Sequence, residues 1–350
     1  MNKVFKVIWN HATQTWTAVS ELGHAKGKTK SKKIVKLTAL AGAVMGVVGT
    51  AQATVDTGAS TITISSANPN NVVGTGEGQG NINIGTGAHT FRSENGNVSH
   101  DAIAMGTRAT GTGDASVAIG LEASATKQNG IAIGHKATGA SQNAITIGEE
   151  AVSSQDHAVA MGTRANSSGV QSVGVGSYTN AEGNLTVAVG PYAQANKEAA
   201  IAMGSNATAA ESNSVAVGQT ATAAKNNAIA IGTKTVSKGD NAIGIGAYVE
   251  STANRSTAVG VLSQANGEGS FAGGASAHAT GTNSVAIGGA TDGTLGNKAG
   301  TAAKATGEQA IAIGTKSKAI ADNSIAQGAN ATANKESDIA IGTNSVANGS

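Results

Sequence analysis

Asn213-Ser214-Val215-Ala216-Val217-Gly218-Gln219-Thr220-Ala221-Thr222-Ala223-Ala224-Lys225-Asn226 is one full period of this chain, and Asn227-Ala228-Ile229-Ala230-Ile231-Gly232 begins the next. The glycine recurs at every fourteenth position from Gly106 to Gly288, then again at Gly314, Gly328 and Gly342. A fixed period of this kind is the mark of a stacked solenoid in which each unit contacts only its neighbours. Such a chain offers surfaces before it offers a cleft.

Within a period, two branched apolar residues flank a small one, as in Val117-Ala118-Ile119, Ile131-Ala132-Ile133 and Ile311-Ala312-Ile313. Strand side chains alternate with period two, so both branched residues share a face. Fourteen is also two heptads, but a coiled coil is excluded because the apolar residues lie two apart, are mostly β-branched and run into glycine. After the glycine the third and fifth positions are small and the fourth varies, as in Ala109-Thr110-Gly111 and Ala207-Thr208-Ala209. This alternation predicts a second short strand with its small side inward. Polar turns such as Lys127-Gln128-Asn129 and Gly239-Asp240-Asn241 separate the two. The expected fold is all-β: a parallel β-roll of 14-residue coils, on the order of 80 Å long at the ~4.8 Å strand spacing.

Volume predicts a filling in which Val and Ile of one sheet meet Ala, Gly and Ser of the other. That arrangement turns Ala104, Ala118, Ala132, Ala160, Ala188, Ala216 and Ala230 outward. Outward alanines let another backbone come close, which makes these seven the expected subunit-interface residues.

Outside the array, residues 1–53 read as a leader. A basic stretch with Lys26, Lys28, Lys30, Lys32 and Lys33 precedes the apolar run Ile34–Gly49 and the small-x-small triplet Ala51-Gln52-Ala53. The pattern is that of a signal peptide cut between Ala53 and Thr54; the run is short for a ~20-residue membrane span. The leader holds eight of the 23 Lys and Arg and one of the 21 Asp and Glu, leaving 15 basic and 20 acidic residues, a formal charge of −5. No basic surface for nucleic acid is expected. Both tryptophans, Trp9 and Trp16, are in the leader, and the rest keeps only Phe91, Phe271, Tyr178, Tyr192 and Tyr248 as aromatics. There is no cysteine. An exported chain without disulfides or an aromatic core is expected to be stabilised by stacking and oligomerisation.

Residues 54–98 form an irregular lead-in, with one early echo of the motif at Ile82-Asn83-Ile84-Gly85, that is expected to cover the open edge of the first coil. Residues 99–350 are the repeat head. Thr257, Phe271-Ala272-Gly273 and Gln327 depart from the apolar pattern, and the step from Gly288 to Gly314 is 26 residues, which places an insertion near 289–300 on the surface. Ser350 falls six positions before the next glycine would, so the chain is read as ending within a repeat of a longer protein.

Two stretches carry a resemblance. The leader Met1-Asn2-Lys3-Val4-Phe5-Lys6-Val7-Ile8-Trp9-Asn10-His11-Ala12-Thr13, continuing through Trp16-Thr17-Ala18-Val19-Ser20-Glu21, resembles the extended signal peptide region of Gram-negative autotransporters. Asn283-Ser284-Val285-Ala286-Ile287-Gly288 and its relatives resemble the YadA-like head of trimeric autotransporter adhesins. The resemblance implies a homotrimer of left-handed parallel β-rolls at the cell surface, held to the outer membrane only through a stalk and β-barrel anchor expected to follow Ser350. Its implied partners are host extracellular matrix proteins, host cell surfaces and other bacterial cells. The alternative is a purely structural spacer within a surface fibre. The collagen-associated form of the family phrase has Asn and Ser before the Val-Ala-Ile-Gly core and a Ser three residues after its glycine. Asn213 and Ser214 are followed by Ala221, and Asn283 and Ser284 by Thr291, while Ser317 and Ser345 supply the late Ser alone. Asn213, Ser214, Asn283 and Ser284 are the expected ligand-binding residues.

No catalytic constellation, metal site or cofactor site emerges: the histidines lie singly, and Gly74-Thr75-Gly76-Glu77-Gly78 has no following helix to hold a phosphate. A hexapeptide-repeat acyltransferase has a period that does not divide fourteen. The series Thr110, Ser124, Thr138, Val152, Asn166, Asn180 is too irregular for an ice-binding rank of threonines.

Overall fold

The computed structural model describes residues 5–10, 15–20, 52–55, 62–65, 80–90, 99–290 and 301–349. It divides into two units, Met1–Thr50 and Ala51–Ser350. In the first, strands Phe5–Asn10 and Thr15–Ser20 pair antiparallel, with Trp9 opposite Trp16.

The second unit is a solenoid of two parallel sheets. One has seventeen three-residue strands from Ile103–Met105 to Ile339–Ile341, and the other seventeen two-residue strands from Thr110–Gly111 to Val346–Ala347. Each strand pairs in parallel with the same strand of the coils before and after it, Ile131 with Val117 and Ile145, Thr138 with Ser124 and Val152. Ladder bonds such as Ile131 N–H to the Ala144 carbonyl and Gly134 N–H to the Ile119 carbonyl are both 2.8 Å. At the start, Ile62–Ser65 pairs antiparallel with Gln52–Val55 and parallel with Ile82–Ile84, which itself joins Ile103–Met105. Across the long step, Val285 pairs directly with Ile311, so the ladder continues as if the extra residues were not there.

The corners explain the glycine. Gly120 has φ +131, and a Cβ there would lie 2.5 Å from the carbonyl oxygen of Gly134 in the next coil. Both the backbone angle and the neighbouring main chain exclude a side chain. A second device repeats twice as often: Glu122, Asn129, Lys136 and Asn143, seven apart, all have φ between 55 and 58. Each coil is therefore two seven-residue halves, each closed by a turn whose third residue is left-handed. Asn is the side chain best suited to that conformation, which accounts for Asn129, Asn143, Asn213, Asn227, Asn241 and Asn283 at these positions.

The core corrects the expected filling. Ala104, Ala118, Ala132, Ala160, Ala188, Ala216 and Ala230 are 0% exposed within a single chain. They point into the roll and meet the small residues of the other sheet, Ala109, Ala123, Ala125 and Ala137 among them. They form no subunit interface; the flanking Val and Ile point outward. The reason is space. The core tolerates about one extra methyl, and only where a neighbour gives one up. Gly244 stands in the alanine column beside Val249, the largest fully buried side chain, and a Cβ on Gly244 would approach Val249 Cγ1 to 3.4 Å and Thr235 Cγ2 to 3.0 Å. Thr146 in the same column faces Gly139, whose absent Cβ would lie 3.3 Å from its Oγ1. Close packing leaves no room for Ile where Ala sits.

Candidate functional site

Turning the branched residues outward gives the roll one apolar face. Its two columns run from Ile103 and Met105 through Ile131 and Ile133 to Ile339 and Ile341. The outer members of the pairs are substantially open to solvent, Met203 at 43%, Ile231 at 39% and Ile287 at 41%. Seventeen strands at the ~4.8 Å spacing, with columns about 7 Å apart, make a strip on the order of 80 Å long. Its area exceeds ~500 Å² before side-chain width is added, at the top of the ~300–600 Å² range of the largest patch on an ordinary monomer. The departures from pattern keep the strip full. Phe271 reaches across the place left by Gly273, where a Cβ would lie 2.8 Å from its ring.

The opposite sheet is polar. Its outward column reads Thr138, Val152, Asn166, Asn180, Gln194 and Thr208. Amides bond along it, Asn166 Nδ2 donating to Asn180 Oδ1 at 2.8 Å and Asn180 Nδ2 to Glu182 Oε1 at 2.7 Å. At the adjoining corner, two residues after each glycine, a run of charged side chains from Arg108 to Arg164 gives way to the rings of Tyr178 and Tyr192. Arg108 pairs with Glu122 at 2.8 Å and Arg164 with Glu150 at 2.6 Å; Arg164 lies 5.7 Å from the Tyr178 ring centroid, and Tyr178 stacks on Tyr192 at 5.1 Å and 3°. The Arg164 hydrogen bond, then its charge, holds the Glu150 carboxyl below its ordinary value. These groups are exposed, so their worth lies in surface chemistry more than in stability.

The expected ligand residues divide. Ser214 and Ser284 are fully buried core residues. Ser214 Oγ donates to the Glu211 carbonyl three residues back at 2.5 Å, as Ser172, Ser256 and Ser324 do in their own coils. The late serines Ser317 and Ser345 do the same to Gly314 and Gly342. Ser214 and Ser284 are thereby corrected as ligand contacts. Asn213 and Asn283 are exposed but occupy left-handed turn positions, φ 56 and 53, which explains them without a ligand. In this chain the Asn-Ser phrase builds a corner. The proposed cleavage point, Ala53 and Thr54, lies in strand Gln52–Val55, of whose side chains the structure describes nothing, and of the insertion near 289–300 residues 291–300 lie outside the described residues.

Among the described residues no cluster suited to acid–base or nucleophilic chemistry assembles. His100 and Asp114, and His135 and Glu149, are exposed single pairs at 3.6 Å. Among the described residues no group of three or more His, Asp or Glu could hold a metal.

Known families agree with this surface-bearing solenoid. Residues 1–50 match the extended signal peptide of the type V secretion system. The YadA head domain repeat matches in successive windows from 99–123 to 319–345. The autotransporter adhesin EhaG of Escherichia coli O157:H7 is 35% identical over 111 residues, which is 30% of this chain and 6% of that protein. Repeat after repeat over most of its length, and a leader of the matching secretion system, place the chain in the trimeric-autotransporter-type adhesins, as a YadA-type head domain exported to the bacterial surface.

Proposed function

We propose that three copies of this chain, each a left-handed roll, pack their apolar strips together about a common axis, and that the assembly presents its polar sheets to host matrix proteins, host cells or neighbouring bacteria. The observation that carries the reading is the apolar strip itself. A roll whose core is already filled by alanine has no use for two columns of Ile, Val and Met on its outside unless another surface covers them. Burying such a strip stabilises an assembly by roughly 25 cal/mol for each Å² removed from water. Three rolls closing on an axis cover all three strips at once, whereas an open pair leaves edges wet. The outward polar sheet then repeats similar weak contacts along the fibre and around it, and avidity on the order of 10²–10⁴ follows without a deep pocket.

Light scattering on the full chain tests assembly, with a mass three times that of one chain expected; a monomer at micromolar concentration would refute it. Attachment of cells displaying the chain to immobilised matrix proteins tests adhesion. Attachment unchanged after extensive substitution of the polar sheet would favour a spacer role.

A further inference from the structure

Within the repeat head, residues 99–350, three tyrosines are the only aromatic residues besides Phe271, and all three occupy the same corner column, two residues after Gly176, Gly190 and Gly246. Their φ values of 57 to 59 are left-handed, a conformation that nothing about a phenol ring favours. Tyr178 and Tyr192 are accounted for by stacking on each other and on Arg164. Tyr248 is not. The Lys234 ammonium lies 5.3 Å from the centroid of its ring. On the other side the column continues as Leu262 and then Ser276, both shorter than tyrosine. The step leaves a groove of about 240 Å³, bordered by Tyr248, Leu262 and Ser276 along the corner and by Glu250, Gln264 and His278 along the polar sheet.

The two borders differ in chemistry. Tyr248, half of it in solvent, and the partly buried Leu262 offer an apolar ledge. Opposite stand a carboxylate that accepts, an amide that accepts and donates, and an imidazole. Burial, then the Lys304 ammonium, makes His278 harder to protonate, against an opposing pull from Glu250. At neutral pH its ring is uncharged and presents one donor and one acceptor nitrogen. Of the charged side chains that line the groove, Lys234 and Glu250 offset each other; Lys304 stands one coil beyond the lining, next to His278. The groove's volume is below the ~300–1,000 Å³ of clefts that enclose drug-sized molecules, and suits one small ring of a longer chain.

A pyranose has the matching duality: an apolar C–H face, and vicinal hydroxyls that both donate and accept around its rim. We propose that this groove binds one neutral hexose unit of a glycan, with its C–H face against Tyr248 and Leu262 and its hydroxyls on Glu250, Gln264 and His278. The site lies within one chain, on the polar sheet and the corner beside it. It deepens the adhesin reading by naming a ligand class and a place, and rests on that reading only for its biological meaning.

Saturation-transfer NMR on the full chain, with free glucose, galactose, mannose and N-acetylglucosamine as separate probes, is the test. The expected result is transfer to the ring protons of at least one sugar at millimolar concentration, reduced tenfold or more by Tyr248→Asn and by Gln264→Ala. Asn suits the left-handed corner, so that variant is expected to keep the fold, read from its unfolding temperature. Tyr192→Asn, in the same column four coils away, is expected to leave the transfer unchanged. No transfer with any of the four sugars, or transfer indifferent to Tyr248→Asn, would overturn the proposal. Sialic acid is run as a fifth probe, and transfer confined to it and lost on Lys304→Gln would also overturn the proposal. Cell attachment is scored separately: attachment that persists without sugar binding defeats this inference and leaves the adhesin reading intact.

Discussion

Ile131–Ile133 and Thr138–Gly139 belong to one coil, are joined to their neighbours by the same parallel ladder, and each turn alanine-sized residues inward. Their outer faces are opposite in character. One strand turns two isoleucines outward and the other a single threonine, and this difference recurs through most coils, with Val152, Val236 and Val346 as apolar exceptions on the second strand and Thr257 and Gln327 as polar ones on the first. The contrast teaches that in a roll this thin the interior does not divide apolar from polar. It is filled by whatever is small, serine and threonine included, and hydrophobicity is left to mark a surface.

Breaking the contrast on the apolar side is expected to have the largest effect. Ile231→Glu brings three carboxylates to the axis of a trimer, where each unpaired buried charge costs several kcal/mol; light scattering should show loss of the trimer, while Thr222→Glu on the polar sheet should leave it intact. Next comes the shared interior. Ala132→Leu overfills a site with no room and should cost about 1–3 kcal/mol, seen as a lower midpoint in thermal unfolding, whereas Ile133→Leu, on the outer face, should cost less than half as much. The corners come third. Asn143 is left-handed at φ 56, and Asn143→Val should lose about 1–2 kcal/mol, measured by denaturant unfolding.

The smallest effect belongs to the charged corner. Glu150 has its pKa held below 4.5, so its contribution is complete above the unfolded value and lost as pH falls through the folded one. In Arg164→Gln the unfolding midpoint should depend less steeply on pH below 4.5, with little change at pH 7, because both groups are exposed.

Much of the architecture was legible in the sequence. The fourteen-residue spacing of Gly106 to Gly288, the apolar triplet and the small-x-small pair lead directly to two parallel strands per coil, as the pairing of Ile131 with Val117 and Ile145 shows. The facing was not, because the expectation placed large side chains inside by habit of globular cores. A signal against it was available. The outer columns accept Phe271, Gly273, Met203, Thr257 and Gln327, a wide range of volumes, whereas the middle column of the repeat head varies only among Ala, Gly and Thr. A packed interior is the place where volume cannot vary. Ser214 and Ser284 are expected ligand contacts from their place in the collagen-associated phrase, but both side chains lie inside the roll. The seven-residue recurrence of left-handed corners was hidden because Glu, Lys, Arg and Tyr occupy them as well as Asn. The Tyr248 groove could not be read at all: Lys234, Tyr248 and Leu262 are fourteen apart, and only stacking makes neighbours of them.

The ladder from Val285 to Ile311 passes over the long step without losing a column. Alignment is kept by strand meeting strand, not by counting residues between them. An in-frame duplication of one whole unit would lengthen the fibre by one rung and leave both faces in line. Extra residues at a corner can instead be set aside as a loop. A gene encoding such a protein can thus be edited in length and ornamented at its corners independently, with the inherited interior untouched by either change.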